Sequence, residues 1–357
     1  MDADVAVIGG GPAGSTAATA LRRSGCSVVL INVERPRTGG ETSSAALVEL
    51  IRNVGAGDVI NAVLRPCFGL VASWGSPHPS FRSSIATRHG HSFFIDRPGL
   101  DSALRNVARE AGVDVRYGKV SRIVRSPAGV IVDLGTSGLP LNVRAIVDAT
   151  GRGARIARAL GAVYHLFDPL VAVLGCLPAR TEEQIVMVEA VAEGWWYALS
   201  TGDQQSTVGF VTRPSVLRGL RLWDSARWQA ALRKTSMISP LIASDIQPGG
   251  ISISPTGSAR LNQVAGDRWL AVGDAAMAFD PVASVGVVNA LASGWSGRRA
   301  LASWLDGNPQ ELHHYSERAD VFFRYYEKKR AAHYRFERRW ANSPFWGPAL
   351  PGVELLN

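Results

Sequence analysis

Val5-Ala6-Val7-Ile8-Gly9-Gly10-Gly11-Pro12-Ala13-Gly14 opens the chain with a short apolar run that breaks into a glycine turn. The run reads as a buried strand. The Ala/Thr-rich segment after it, ending at Arg22-Arg23-Ser24-Gly25, reads as a helix with Gly25 as its stop. Val28 to Ile31 supply the next strand and complete a βαβ unit. Each glycine has a separate task. Gly9 permits the tight turn, Gly11 lets the backbone approach a pyrophosphate, and Gly14 lets the helix close on the strand. Pro12 and Ala13 stand in the same turn, at a helix N-terminus that favours phosphate charge. The pattern predicts a dinucleotide-binding domain. The carboxylate expected on the adenosine ribose falls at Asn32, with Glu34 two residues on. Asn32 can bind a hydroxyl through its amide, or Glu34 can take over if the strand end bulges, and both stay open at this point.

A second glycine cluster stands near the other end of the chain. It runs Ala271-Val272-Gly273-Asp274-Ala275-Ala276, then Asp280-Pro281, then Gly286-Val287. A dinucleotide carrying a nicotinamide has no need of it. Flavin adenine dinucleotide is long, and its adenosine and ribityl-isoalloxazine halves need separate cradles. The pair of clusters therefore predicts FAD.

The composition is that of an ordinary globular protein: 357 residues, 46% hydrophobic and 19% charged. The 38 Lys+Arg against 30 Asp+Glu leave a net charge of +8, with arginines scattered and no dense basic run before the C-terminal region. We expect no nucleic-acid partner and no membrane association from it. Cys26, Cys67 and Cys176 are odd in number and widely spaced, which argues against a disulfide framework and a zinc site. With no signal peptide and no apolar run of bilayer length, a cytoplasmic location is the expectation.

Along the chain, Asp96-Arg97 with Leu100, Leu104 and Ala108 begins a helix, and residues 120–132 read as a hairpin. Residues 145–149 read as a buried strand entering the turn Thr150-Gly151. Between about 165 and 263 strands and turns dominate, with a helical insert near 223–234. Leu312, Tyr315, Ala319, Phe322 and Tyr326 recur at helical spacing. The expected fold is α/β: a Rossmann-type FAD-binding domain with an inserted β-sheet substrate domain and C-terminal helices. The expected boundaries are residues 1–64, 95–164 and 264–311 for the FAD-binding domain, 65–94 and 165–263 for the substrate domain, and 312–357 for the C-terminal helical region.

The glycine turn, Asp96-Arg97, Ala149-Thr150-Gly151 and Gly273-Asp274…Asp280-Pro281…Gly286 together resemble the flavoprotein fold of p-hydroxybenzoate hydroxylase. That resemblance implies Asp274 on the ribityl chain and the backbone of Gly286 and Val287 at the pyrimidine edge of the flavin, after Pro281. It further implies that Arg97 and the backbone of Val120 contact the ribityl–pyrophosphate and adenine portions. Gly40-Glu41-Thr42, Gly194-Trp195-Trp196-Tyr197 and the tail from Tyr334 to Trp346 narrow the resemblance to one branch. It joins flavin-dependent halogenases to flavoproteins that mature the tryptophylquinone enzymes lysine ε-oxidase, glycine oxidase and quinohemoprotein amine dehydrogenase.

Two departures point away from halogenation. Halogenases of this branch use a lysine near the flavin, and this chain has no lysine before Lys119. Their Gly-Trp-x-Trp-x-Ile-Pro pattern reads Gly194-Trp195-Trp196-Tyr197-Ala198-Leu199-Ser200 here. The resemblance then implies a monooxygenase that hydroxylates a tryptophan of a peptide or protein. Its flavin C4a-hydroperoxide is kept from water while an electron-rich ring attacks it. His91 is a candidate proton donor or acceptor, or else a hydrogen-bonded structural histidine. Phe93, Trp195, Trp196 and Tyr197 are candidate pocket residues, the last three equally readable as sheet core. The Arg/aromatic region from Arg324 to Trp346 reads as a docking surface for a protein substrate or as a packed helix. No second nucleotide turn is visible, so NAD(P)H or a separate protein supplies the electrons. A reductase or saturase acting on a lipid, and a non-catalytic maturation factor, are the alternatives.

Overall fold

The computed structural model describes residues 1–34, 40–83, 91–135, 139–180, 183–201, 205–242 and 250–347. Parts of the expected substrate domain (84–90, 181–182, 202–204 and 243–249) and the last positions of the C-terminal region (348–357) lie outside the described residues. The strands Trp269–Ala271, Leu141–Asp148, Ala3–Ile8, Val28–Asn32 and Asp114–Tyr117 lie side by side in that order and run parallel. Their near-continuous apolar character follows from burial on both faces. Val5, Val7, Leu30 and Val147 pack into one core, while Ala6, Ile8, Ile31 and Ile146 pack into another behind the sheet. The hairpin expected over 120–132 is Arg122–Ser126 with Gly129–Asp133, paired onto Leu141–Asp148.

Helix Gly286–Leu305 crosses helix Pro12–Arg23 at close range, because a Cβ on Gly294 would collide with the Ala13 carbonyl oxygen. That contact brings the two distant glycine clusters together. Residues 264–271 join the same sheet through Ala265–Gly266 and Trp269–Ala271.

The second large sheet is ordered Ile251–Pro255, Val171–Pro178, Gln205–Thr212, Gly194–Ser200, Ile185–Val191, Gly69–Ser73 and Ser80–Ser83. A small sheet, Glu41–Ser43 on Ser92–Ile95 on Leu64–Cys67, stands between the two large ones. The expected insert near 223–234 is two helices, Pro214–Leu220 and Ser225–Leu232. Pro214 starts the first, and the Asp224 side chain caps the second by accepting from the Arg227 N–H at 3.0 Å.

Helix Gln310–Arg335 buries Leu312, Tyr315, Ala319, Phe323, Tyr326, Arg330 and Tyr334. The sequence pattern expects Phe322 on that stripe. Instead Phe323 fills the core, with its ring 5.1 Å from that of Phe167, and Phe322 is exposed. A step of four from Ala319, then three to Tyr326, satisfies the helical period as well as the reverse, so pattern alone could not choose. No helix among the described residues is long and apolar enough to cross a membrane.

Candidate functional site

The first glycine turn is built tightly enough that side chains are excluded from it. Gly9 has φ +116°, where a Cβ would strike the Ala149 carbonyl, and a Cβ on Gly14 would strike the Gly9 carbonyl. Gly11 caps helix Pro12–Arg23, whose first turn holds no acidic residue, so its N-terminal field is available to an anion. Asn32 is buried and its Oδ1 accepts from Gly10 N–H at 3.2 Å, which anchors the turn from the neighbouring strand. Asn32 and Glu34 also line one cleft with Val33, Tyr117, Gly118 and Lys119, about 520 Å³ in volume, with Val120 next along the chain. The arrangement thus divides the two residues: Asn32 braces the turn and Glu34 is exposed at the cleft.

The second turn abuts the first, since a Cβ on Gly273 (φ +59°) would lie 2.7 Å from the Ala13 Cβ. Gly273 N–H donates to Ser293 Oγ at 2.8 Å, and the Tyr164 hydroxyl donates to the Asp274 carbonyl at 2.9 Å. The Asp274 carboxylate, partly exposed, lies 3.7 Å from Arg152 Nε. Arg152 in turn donates to the carbonyls of Gly257 and Phe279. Asp148 is fully buried, and its carboxylate accepts from Thr150, Ile156 and Ala157, which holds the Thr150–Gly151 turn in place. Burial pushes that carboxyl up, and these hydrogen bonds oppose the rise.

Arg97 connects this second turn to the small sheet. Its Nη1 meets Glu41 at 2.5 Å and 2.6 Å, and its Nη2 meets Asp101 at 3.4 Å. Burial works against the guanidinium charge, but Glu41, Asp101 and Asp274 outweigh it and raise Arg97 above its ordinary value. Arg97, Glu41 and Asp274 are therefore one charged cluster although they are far apart in sequence. Thr42 Oγ1 lies 3.3 Å from Ser284 Oγ, beside Pro281 and Gly286. Gly40 N–H reaches across to Thr207 Oγ1 at 3.0 Å, and a Cβ there would press on Leu199. Gly40-Glu41-Thr42 thus bridges the nucleotide-type domain and the second sheet.

The aromatic candidates divide by strand alternation. Tyr197 faces the bridge: burial raises its phenol, and the Glu41 charge adds to that. Trp195 lies on the same face but is sealed under the C-terminal segment, its Nε1–H donating to Tyr334 Oη at 3.0 Å. Trp196 points to the opposite face, stacked on Phe210 with ring centres 4.5 Å apart and packed against Trp228. The expectation that all three residues line one pocket therefore does not hold for Trp196. Successive residues on a strand face opposite sides of the sheet, and Trp196 is core. Phe93, half-buried, pairs with Ser43 and Pro66 in the small sheet. His91 sits edge-on between Phe68 and Phe93, at 6.0 Å and 5.9 Å, without a hydrogen-bond partner among the described residues.

Asp280, which sequence reading quoted without giving it a role, is fully buried and serves two purposes. Its Oδ1 accepts from Val282 N–H and caps the Pro281–Ala283 turn, while its Oδ2 accepts from Arg330 Nε at 2.8 Å and Tyr334 Oη at 2.7 Å. Arg330 continues to the buried Asp168 at 2.6 Å. The flavin-type turn, the second sheet and the C-terminal helix are locked through this cluster. Arg105 was also missed; its Nη1 donates to the Gly10 carbonyl at 3.1 Å. Its position two helical turns beyond Arg97 was the available signal.

An FAD fits this set of residues. Both glycine turns meet at their middle, the cleft beside Asn32 lies at one end, and helix Gly286–Leu305 begins at the other. A Cβ on Gly151 or Gly286 would meet nothing within 4 Å, so both turns face open space. Neither helix N-terminus carries an acid in its first turn.

Residues 4–167 match the family model described as FAD dependent oxidoreductase. The chain is 28% identical to the protein LodB of Marinomonas mediterranea, over 96% of this chain and 95% of that protein. Its fold is similar to that of QhpG, described as a peptidyl tryptophan dihydroxylase essential for tryptophylquinone cofactor biogenesis. The TM-score is 0.82 at 24% identity, covering 97% of this chain and 78% of QhpG. It is also similar to the myxobacterial FAD-dependent halogenase CndH, with a TM-score of 0.83 at 26% identity over 96% of this chain and 85% of CndH.

Proposed function

The chain is an FAD-dependent oxidoreductase, and from that premise we propose that it is a monooxygenase hydroxylating a tryptophan side chain within a peptide or protein. In this reading Gly9, Gly11, Pro12, Ala13 and Gly14 carry the pyrophosphate, with Arg105 adding charge from the side. The adenosine occupies the cleft at Asn32, Glu34 and Tyr117, beside Val120. Asp274 holds the ribityl chain, and Thr150, Gly151 and Arg97 shape the groove. Pro281, Gly286 and Val287 face the ring, and Gly40, Glu41 and Thr42 close the space between the ring and the second sheet.

When bound and reduced, FAD together with dioxygen supplies an electrophilic oxygen atom to an electron-rich ring. One oxygen atom enters the substrate C–H bond and the other leaves as water, with two electrons from NAD(P)H or a separate reductant. The chain's own part is to orient the indole and exclude water. Phe93 and Tyr197 are the side chains assigned to the apolar wall, and the Glu41 carboxylate, held by Arg97, is the acceptor assigned to the indole N–H or to the proton released on rearomatisation. His91, edge-on to the Phe68 and Phe93 rings and without a hydrogen-bond partner among the described residues, is the second candidate for that proton.

The observation that carries the reading is the absence of lysine from this space. The four lysines stand elsewhere: Lys119 at the adenosine cleft, Lys234 after the helix Ser225–Leu232 that covers the far face, and Lys328 and Lys329 exposed on the C-terminal helix. A halogenase of the resembling branch needs one at the site. The fold is shared by the tryptophan dihydroxylase QhpG and the halogenase CndH alike, so the lysine positions carry the distinction. The test supplies the reduced holoprotein with dioxygen, bromide and a tryptophan-containing peptide. A peptide heavier by about 16 or 32 mass units is expected. A brominated peptide, or turnover without dioxygen, would overturn the proposal.

A further inference from the structure

Beyond Asp320 the outer face of the C-terminal helix carries charge of one sign, whereas the preceding turns also expose Glu317, paired with His313. From residue 321 to residue 338 the exposed Asp, Glu, Lys and Arg side chains are Arg324, Lys328, Lys329, Arg335 and Arg338, all cationic. The two carboxylates of the stretch are withdrawn: Glu327 is half-buried, and Glu337 is buried against Arg339 and the Gly75 N–H. None of the five cations has a carboxylate within salt-bridge distance among the described residues. Interleaved with them stand Val321, Phe322, Tyr325 and Phe336, with Tyr325 60% and Phe336 74% exposed. The Lys329 ammonium lies 5.5 Å from the Tyr325 ring centre. Aromatic side chains left in water beside unpaired cations are the composition of an interface core, not of a surface that only needs solubility.

We propose that this face of helix Gln310–Arg335, continued to Phe336 and Arg338, docks an acidic protein surface bearing apolar side chains. Resting on the function proposed above, that surface belongs to the polypeptide whose tryptophan is hydroxylated. Charge complementarity selects the partner: five cations without counter-charge favour an acidic surface and speed its encounter. A lipid surface fits less well. A membrane-lying helix needs a continuous apolar face, and the apolar face of this helix is already used inside the protein by Leu312, Tyr315, Ala319, Phe323 and Tyr326. On the outer face, cations and aromatics alternate instead of segregating. Its position is also apt. The inner face of the same helix holds Asp280 through Arg330 and Tyr334, so a docked partner lies about 10 Å, one helix diameter, from the turn leading to Gly286.

The test is fluorescence anisotropy on the FAD-loaded full chain. The probe is a fluorescein-labelled amphipathic peptide of glutamate, leucine and one tryptophan, about 20 residues long so that it spans roughly 30 Å as a helix. Binding that weakens steeply with salt is expected. The triple variant Lys328→Glu, Lys329→Glu, Arg335→Glu loses at least about tenfold in affinity and instead binds the matching lysine–leucine peptide. Tyr325→Ala with Phe336→Ala loses about fivefold with the salt slope unchanged. All these side chains are exposed, so both variants keep the helical circular dichroism and flavin content of the parent. Equal affinity in the parent and either variant overturns the proposal. So does binding of phosphatidylglycerol vesicles with the same dependence on these residues, which assigns the face to a membrane. The readout is binding alone, so failure of the hydroxylation reading leaves this result standing, and the converse holds.

Discussion

Tyr334→Phe removes a single oxygen from a buried cluster and keeps the ring that packs against Trp195, Phe345 and Trp346. In the native protein that oxygen donates to the Asp280 carboxylate at 2.7 Å and accepts from Trp195 Nε1–H at 3.0 Å. Losing a hydrogen bond to a charged group costs about 1.5–3 kcal/mol, and stranding a buried N–H adds about 1–3 kcal/mol. The two losses share one cluster and do not simply add, so about 3 kcal/mol is the expected destabilisation. Burial already pushes the Tyr334 phenol far up, with Asp280 adding to the shift, so the hydroxyl is the donor throughout the accessible pH range. Urea unfolding of the FAD-loaded protein, followed by tryptophan fluorescence, is the assay. With a slope of roughly 3 kcal/mol per molar, the midpoint should fall by about 1 M. Asp280→Asn, which leaves Arg330 with Asp168 alone, should cost more, about 3–5 kcal/mol. It should also change the fine structure of the bound-flavin absorption, because Asp280 caps the Pro281–Ala283 turn. A Tyr334→Phe midpoint within about 0.2 M of the parent would refute the reasoning.

Gly14→Ala drives a methyl into the Gly9 carbonyl and the Ala149 side chain. The purified variant should therefore be colourless and should fail to quench added FAD fluorescence. Asn32→Ala releases the Gly10 N–H and should weaken FAD by about tenfold, the equivalent of about 1.4 kcal/mol, in a titration of apoprotein. Trp196→Ala should destabilise by about 3–5 kcal/mol through the cavity it leaves, yet keep turnover per folded molecule, because the side chain faces away from the bridge. Equal stability with lost turnover would place Trp196 in the pocket after all. Glu337 gives a pH signature. Burial tends to raise its carboxyl, but Arg339 and the Gly75 N–H outweigh this and hold it below its ordinary value of 4.5. A depressed carboxyl stabilises fully above its unfolded pKa, and the contribution fades as pH falls from about 4.5 through the lower folded value. Glu337→Gln should lower the thermal midpoint at pH 7, and the difference from the parent should shrink as pH falls below about 4.5, measured by calorimetry.

Much of the nucleotide half was legible because its constraints are local. A positive φ at Gly9, a missing Cβ at Gly14 and an apolar strand on each side leave a signature within a short stretch of chain. The meeting of Gly273 with Ala13 was legible only as chemistry, through the need for a second cradle; the contact itself depends on Gly294, whose small size carries no label. The bridge Gly40-Glu41-Thr42 could be quoted but not placed, since its partners Ser284, Thr207 and Arg97 come from three distant segments. Asp280 was hidden for a related reason. Next to a proline it looks like a turn residue, and its buried ion cluster requires Arg330 and Tyr334 to arrive from the far end of the chain. At Trp195-Trp196-Tyr197 strand alternation was readable, but which parity faces the bridge is decided by the packing of Trp228 behind the sheet.

The central claim is oxygen transfer from reduced FAD and dioxygen to a polypeptide tryptophan. It is tested most directly by mapping tryptic peptides in cells that express the chain and in cells that lack it, grown under ¹⁸O-labelled dioxygen. The account predicts a tryptophan peptide carrying one or two labelled oxygen atoms, present only with the chain and absent from the Gly14→Ala strain. Tryptophan peptides identical in both strains, with label appearing instead in a small molecule, would contradict it.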